Sequence, residues 1–342
     1  MTENNDEDQS EPESFEAFLR SQTEKKKLWH AINGENLEAR GHALLKMSHS
    51  LALETMTLDQ AISYAGAAAD VWRELWQNDE ALKAYWHMGD CLLEAERYPE
   101  AISAYTLAIE VGDEILRTRS LMNVHYQLAR CYTKNDQDAL AEEAAVKAAE
   151  LALQCNMKMR AQRSYQMASG SARADKRWVE SATYCDKAIA ILKQEDSAED
   201  LAEAYARKAQ NLIDLKRFSE AGDCLDRARN LMRLTNMDWL SAGLTFHRAR
   251  LWLETGMAAE SIPLFDEALQ GAKDKSAPQF AAEVMYCRAK AYLEIGVLSI
   301  AREEFETLIT LTSDGFTALD AADLSQLLDM CRPQPVLFEI AS

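Results

Sequence analysis

The chain has 342 residues, 48% of them hydrophobic, and a formal net charge of −19. An acidic chain repels a phosphate backbone unless its basic residues cluster, so this charge disfavours nucleic-acid binding. The sequence shows no signal peptide and no apolar run near the ~18 residues that span a bilayer, so we expect a cytoplasmic protein without a membrane segment. Helix-forming residues dominate and no segment alternates with the period of a strand, which predicts an all-α fold.

The N-terminal segment is strongly acidic. Seven carboxylates and no Lys or Arg lie between Glu3 and Glu16. Because apolar residues are scarce there, residues 1–14 are expected to form a disordered tail, which either solubilises the chain or contacts a basic partner. Residues 15–35 are expected to form an N-terminal capping helix that covers the array of helices after it. Its apolar residues are Phe15, Phe18, Leu19 and Trp29.

Residues 36–315 repeat with an unbroken step of 40 residues. Three columns of small residues keep this step in phase, which predicts seven stacked helical hairpins, because small residues let two helices cross closely. One hairpin cannot bury its own apolar face, so its neighbours complete the core. The first column is Ala61, Ala101, Ala141, Ser181, Ala221, Ser261 and Ala301; the second is Ala68, Ala108, Ala148, Ala188, Ala228, Ala268 and Leu308; the third is His49, Gly89, Ala129, Ser169, Ala209, Ala249 and Ala289.

Turn signals divide this region into helices of roughly 15–18 residues. The signals within hairpins are Asn135-Asp136, Lys216-Arg217, Thr255-Gly256 and Ile295-Gly296. The signals between hairpins are Gly112-Asp113, the run from Gln194 to Asp196, Gly271 with Pro278, and Asp314-Gly315.

The C-terminal part predicts one more helix and a tail. Residues 316–330 are expected to form a capping helix, and Pro333 and Pro335 stop helix formation, which leaves a flexible tail at 331–342. Within it, Gln334 to Phe338 resembles the short Q-x-x-L-F peptide by which bacterial replication proteins dock onto the sliding clamp. The alternative is that these apolar residues fold back onto the last helices. The apolar face of the capping helix is Leu319, Leu324, Leu327 and Leu328.

The repeated units resemble a known family. The residues that carry the resemblance are Tyr85, Met88, Gly89, Leu92, Ala101, Tyr105 and Ala108 in the second unit, and Ala289, Tyr292, Ala301 and Phe305 in the seventh. They are similar to tetratricopeptide repeats in a longer, forty-residue form. The resemblance implies a right-handed superhelical solenoid in which the first helix of each hairpin lines a concave groove. The sequence departs from the pattern where Lys208, Arg248 and Arg288 replace a large apolar residue.

The sequence contains no motif of a catalytic or cofactor site. It has no Gly-rich phosphate loop, no H-E-x-x-H and no G-x-S-x-G. His42 and His49 lie seven residues apart without a third metal ligand at a suitable spacing. The seven cysteines form no C-x-x-C pair, which indicates neither a disulfide framework nor a zinc site. We therefore expect no enzyme, no metal and no cofactor.

The groove positions implied by the resemblance carry an unusual charge. In the third and fourth units they hold four cations and no carboxylate, and a positive surface attracts an anionic segment. Gly170 leaves room there for a peptide backbone. The alternative is that these cations pair with carboxylates of adjacent helices. The predicted partner-binding residues are Trp86, Tyr126, Arg130, Lys134, Arg163, Arg173, Phe246, Arg250, Tyr286 and Lys290.

These features predict a scaffold or adaptor that binds a protein or peptide, with an acidic segment as the expected ligand of the cations. The alternative is a regulatory module that senses a peptide or another ligand. Because the sequence contains no DNA-binding or catalytic domain, such a sensor would act through a partner protein.

Overall fold

The structure is a computed structural model, and it describes residues 26–52, 57–195, 197–235, 238–313 and 319–331. Within these ranges every regular element is a helix, which confirms the predicted all-α class. Residues 26–32 are helical and precede the labelled helices. These are α1 (Leu37–Leu51), α2 (Leu58–Glu74), α3 (Asn78–Glu94), α4 (Tyr98–Glu114), α5 (Thr118–Lys134), α6 (Asp138–Gln154), α7 (Lys158–Ala174), α8 (Trp178–Leu192), α9 (Ala198–Asp214), α10 (Phe218–Thr235), α11 (Asp238–Glu254), α12 (Ala258–Asp274), α13 (Pro278–Glu294), α14 (Leu298–Ser313) and α15 (Ala321–Met330).

The helices follow one another with a constant spacing. From α2 to α14 a new helix begins at every twentieth residue. The residue two places before the next helix has a left-handed backbone, as at Trp76, Leu116 and Asp136. The next N–H then bonds back into the last helical turn, as from Gln77 to the carbonyl of Trp72 at 2.9 Å, which ends the helix in Schellman geometry. The 40-residue step therefore consists of two 20-residue halves that share one turn geometry.

The turns predicted within hairpins are confirmed, whereas two of those predicted between hairpins are wrong. Gly112 lies inside α4, where a Cβ would stand 2.7 Å from a leucine side chain of α5. Gly271 lies inside α12, where a Cβ would stand 2.7 Å from Ala242. Both glycines serve close packing, and the left-handed turn positions are Leu116 and Ser276 instead. The confirmed turns have positive φ at Asp136, Lys216, Gly256 and Gly296.

The chain divides into two compact units, unit 1 ending at Ser171 and unit 2 beginning at Ala172. In unit 1, α1 pairs with α2, α3 with α4 and α5 with α6, and these hairpins also pack on one another through α2 with α3 and α4 with α5. The core of unit 1 includes the fully buried Trp72 together with Leu44, Leu82 and Val111. The first part of α7 completes the unit.

Unit 2 contains α8, three further hairpins and the C-terminal helix. The hairpins pair α9 with α10, α11 with α12 and α13 with α14, while α15 packs on α14. One core surrounds Phe265 and a second surrounds Phe305, and both rings are fully buried. Leu324 of α15 joins the second core. The predicted apolar face of this helix therefore covers the end of the last hairpin.

The small-residue columns found in the sequence are buried. All seven residues of the first column are 0% exposed, and so are all seven of the second. Six of the seven residues in the third column are buried, and His49 is the exposed member. Neighbouring helices therefore approach one another closely at the buried columns that the 40-residue period identified.

The chain ends differ from the sequence-based expectation. Trp29 is 59% exposed, so the prediction that it covers the first hairpin is wrong, and Ile32 packs on the core of unit 1 instead. The last helix, predicted from residue 316, begins at Ala321 because Asp320 caps it through the N–H groups of the first turn. Several predictions concern residues that the structure does not describe. They are those for residues 1–14, Phe15, Phe18, Leu19, Asp314-Gly315 and Gln334 to Phe338.

Candidate functional site

Three of the predicted cations lie on first helices of the hairpins in unit 1. We call the groove positions of α3, α5 and α7 up to Ser171 the A-helix face of unit 1; among the predicted residues it holds Trp86, Tyr126, Arg130, Lys134 and Arg163. The side chains of Arg130, Lys134 and Arg163 are exposed. None of the three forms an ion pair with a described residue of the chain. This face therefore presents positive charge that the described part of the protein does not neutralise by direct contact.

A buried carboxylate lies beside these cations. Asp90 on α3 accepts hydrogen bonds from the Tyr105 hydroxyl at 2.6 Å and from the Gln127 amide at 2.9 Å. Burial raises the pKa of Asp90, and these hydrogen bonds and the charge of Arg130 act against that rise. The Gln127 amide oxygen in turn accepts from Nη1 of Arg130 at 2.9 Å. Arg130 is thus connected to Asp90 through a neutral side chain.

Two more positions on this face are open or partly open. Tyr126 is half-buried, and the guanidinium of Arg160 lies 6.0 Å from its ring centroid. Gly170 is exposed, and a Cβ at that position would meet no atom within 4 Å. Trp86 is half-buried. The face offers room, aromatic surface and exposed cations.

In unit 2 two of the three predicted cations, Arg173 and Arg250, form ion pairs within the chain. Arg173 donates to the Asp214 carboxylate at 2.7 Å and to the Asn211 amide oxygen at 2.9 Å. Arg250 donates to the other oxygen of Asp214 at 2.8 Å. Burial lowers the pKa of the Arg173 guanidinium, and the carboxylate of Asp214 acts in the opposite direction. Two arginines share one carboxylate, so this cluster links α7, α9 and α11.

The prediction that Arg173 and Arg250 are free to bind a ligand is therefore wrong. The alternative, that groove cations pair with carboxylates of adjacent helices, holds for these two. Phe246 is a further correction, because its side chain is only 3% exposed. It packs against the rings of Phe265 and Phe280, with centroids at 6.2 and 5.4 Å, and belongs to the core.

The last two predicted residues contact each other. The ammonium group of Lys290 lies 5.6 Å from the ring centroid of Tyr286. The Tyr286 hydroxyl donates to Asp323 of α15 at 2.6 Å. Burial raises the pKa of Tyr286, and this hydrogen bond raises it further. Both side chains are half-buried and help to attach the C-terminal helix.

Three residues at these sites were not predicted as partner-binding residues. Asp90 and Gln127 organise Arg130, and Asp214 pairs with both Arg173 and Arg250. One of them had a signal in the sequence, because Asp90 and Arg130 stand 40 residues apart and so occupy the same position in successive hairpins. Gln127 had none, since an amide becomes informative only when its two hydrogen-bond partners are known.

The histidines and cysteines make structural contacts. His42 meets the ring of Trp72 edge-on, and His49 lies against His87 with ring centroids 3.7 Å apart. None of the seven cysteines, all of which the structure describes, forms a disulfide, and five of them are buried. No group of three His, Cys, Asp or Glu side chains in the described ranges is arranged to hold a metal ion. None of the described helices is long and apolar enough to cross a bilayer.

The chain is similar in structure to helical repeat proteins. The sequence matches no family profile and no curated protein. The apo form of RapI is 12% identical, with a TM-score of 0.65 over 94% of both chains. A tetratricopeptide repeat protein from Parabacteroides merdae is 16% identical, with a TM-score of 0.56 over 85% of this chain and 98% of its own. The apo quorum sensor NprR from B. thuringiensis is 12% identical, with a TM-score of 0.51 over 93% and 95%. The protein thus has the all-helical tetratricopeptide-repeat fold, as the 40-residue repeat predicted.

Proposed function

We propose that this protein is a non-catalytic interaction module that binds an acidic segment of a partner on the A-helix face of unit 1. One observation carries the proposal: Arg130, Lys134 and Arg163 are exposed without an ion pair to a described residue, whereas Arg173 and Arg250 both pair with Asp214. The half-buried rings of Trp86 and Tyr126 supply apolar contacts for the same ligand.

Fluorescence anisotropy with labelled, C-terminally amidated hexaglutamate at low ionic strength tests the proposal. Charge reversal by Arg130→Glu or Arg163→Glu should weaken binding about tenfold or more, because each replaces attraction with repulsion. Lys147→Glu is the matched control, since Lys147 is also an exposed cation but lies on α6, a second helix. No binding by the parent protein, or an equal loss in the control, would overturn the proposal.

The second candidate is a peptide-sensing regulator that acts through a partner protein. The similarity to NprR, a protein named as a quorum sensor, favours it, although at 12% identity the likeness concerns the fold. A sensor must change conformation when its ligand binds, whereas an adaptor need not. Small-angle scattering with and without saturating hexaglutamate distinguishes them: a changed radius of gyration supports the sensor and an unchanged one the adaptor.

A further inference from the structure

A line of hydrogen bonds in unit 1 ends on the exposed guanidinium of Arg130. It begins at the buried Tyr105 hydroxyl, which donates to Oδ1 of Asp90 at 2.6 Å. The same oxygen accepts from Nε2 of Gln127 at 2.9 Å, and Oε1 of Gln127 accepts from Nη1 of Arg130 at 2.9 Å. The line connects α4, the second helix of one hairpin, with α3 and α5, the first helices of that hairpin and of the next.

The direction of this line is determined by the chemistry of Gln127. A side-chain amide has a donor end and an acceptor end, and a carboxylate accepts only. Because Asp90 takes the donor end, the acceptor end must face Arg130. The reverse orientation would oppose an oxygen to the carboxylate and an NH₂ group to the guanidinium. The buried Tyr105–Asp90 pair thus determines where one N–H of Arg130 points.

Most of the Arg130 guanidinium stays free. Its five N–H groups make one hydrogen bond to a described side chain, through Nη1. The edge formed by Nε and Nη2 has the fork geometry that matches a carboxylate with two parallel hydrogen bonds. In unit 2, by contrast, Asp214 forms ion pairs with both Arg173 and Arg250. In unit 1 a neutral glutamine separates the acid from the base.

We infer that Gln127 is a positioning residue that holds Arg130 ready to bind one carboxylate of the partner through its Nε–Nη2 edge. The inference rests on the proposed function and specifies it: the A-helix face recognises a planar, bidentate acceptor and not negative charge in general. The carboxylate comes from an acidic side chain or from the end of a chain, and both sources present the same two oxygens.

Two substitutions of Gln127 separate positioning from bulk packing. Gln127→Leu removes the acceptor and leaves Arg130 unheld, so labelled hexaglutamate should bind about three- to tenfold more weakly. Gln127→Glu puts a carboxylate against the guanidinium as an internal competitor, so the loss should approach that of Arg130→Ala. Gln154→Leu, at an exposed glutamine of α6, is the matched control and should bind like the parent. Circular dichroism melts establish that each variant is folded.

The decisive measurement is the double-mutant cycle with Arg130→Ala. If Gln127 acts through Arg130, the neutral variant Gln127→Leu has no further effect once Arg130 is alanine. A loss of the same size in both backgrounds would show a merely structural role and overturn the inference. Unchanged binding in both Gln127 variants, with weakened binding in Arg130→Ala, would also overturn it while leaving the proposed function intact. Unchanged binding in the Arg130→Ala variant would instead contradict the proposed function, because it would show that Arg130 does not bind the ligand.

Two probes identify the source of the carboxylate. Amidated hexaglutamate offers only side-chain carboxylates, and hexaglutamine with a free C-terminus offers only a terminal one. Sensitivity of either peptide to Gln127→Leu supports the inference and names the source. A phosphorylated peptide of equal charge that binds as tightly as hexaglutamate, and equally well to the Gln127→Leu variant, would contradict carboxylate recognition.

Discussion

Leu116 shows what the repeated turn demands of a single residue. It has φ +53° and is 83% exposed, at a turn position where a glycine has no steric conflict. An L-residue in this conformation costs roughly 1–2 kcal/mol, and the exposed leucine gains little from packing in return. Gly256 and Gly296 occupy the same turn position in unit 2 without this cost.

Leu116→Gly is therefore expected to stabilise the protein. Relief of the left-handed conformation exceeds the entropy that glycine adds to the unfolded chain, so the gain should be about 0.5–1 kcal/mol. The reverse change, Gly296→Ala at φ +79°, is the matched control and should destabilise by a similar amount. Urea denaturation measures both, and a destabilised Leu116→Gly variant would show that the leucine side chain makes a contact that its exposure conceals.

Gln162 is a buried amide without partners. It is 0% exposed, and neither its oxygen nor its nitrogen has a hydrogen-bond partner. Forty residues earlier and later the same position holds Met122 and Ala202, both buried. Gln162→Met should therefore raise the free energy of unfolding by about 1–2 kcal/mol, because it removes a desolvated polar group at nearly constant volume.

Thermal melts of the Gln162→Met variant and of its mirror, Met122→Gln, test this expectation. The mirror variant should lose stability, since it buries a new amide at a position that accommodates an apolar side chain. Loss of stability in Gln162→Met would mean that the amide has a partner in solution.

At the scale of the helix, a repeated ion pair joins consecutive helices in unit 2, at a position where unit 1 has an apolar contact. We call these ion pairs the ladder of unit 2. Each pair joins a second helix to the next first helix across 22 residues, and the 2.6 Å contact of Lys208 with Asp186 is one member. In unit 1, Met88 occupies the repeat position that Lys208 occupies in unit 2, and its sulfur lies near Gly66. The cations that depart from the family pattern thus have partners in the structure. The other members are Arg248 with Asp226 and Arg288 with Asp266.

The members of this ladder should differ in strength. Arg248→Met should cost less than about 1 kcal/mol, because the Asp226 side chain is 64% exposed and water replaces the contact. Arg288 also pairs with Glu304, which is 8% exposed, so Arg288→Met should cost about 3 kcal/mol by leaving a buried carboxylate unpaired.

The double variant Arg288→Met, Glu304→Leu distinguishes these causes. It removes both charges, so most of the stability lost in Arg288→Met should return, as measured by urea denaturation. Equal losses in the Arg248→Met and Arg288→Met variants would contradict the role assigned to Glu304.

For the whole molecule, buried histidines make stability depend on pH. Burial lowers the pKa of His125 to about 4 and of His247 to about 3, against 6.5 for an unperturbed histidine. The unfolded chain therefore binds protons between pH 6.5 and about 4 that the folded protein does not bind. This contribution is fully present above pH 6.5 and is lost as the pH falls toward 4. The raised pKa of the buried Asp90 and Glu304 acts in the opposite sense.

His125→Phe isolates one of these groups, since the acids are common to both proteins. Between pH 7 and 5 the parent should lose about 2 kcal/mol more than the variant, as linkage gives for a folded pKa near 4. Urea denaturation at the two pH values measures the difference. The same pH dependence in both proteins would show that His125 binds its proton in the folded state as readily as in the unfolded chain.

The amino-acid sequence by itself determined the helical class, the 40-residue step and the buried small residues. These depend on local periodicity and side-chain volume, which a linear pattern contains, and Ala61 and Ala101 are 0% exposed as that pattern predicts. It also placed Arg130, Lys134 and Arg163 on exposed positions of first helices.

Only the tertiary structure decided which charges are free. Arg130 and Arg250 occupy the same position of their repeats, yet a neutral Gln127 contacts one and Asp214 neutralises the other. The structure likewise moved Phe246 into the core and Gly112 into a helix. The physical reason is that the role of a charge, a ring or a glycine depends on the side chains that pack against it in three dimensions. The carboxylate that pairs with both arginines shows this, because Asp214 lies 41 residues from Arg173 and 36 from Arg250 in the chain.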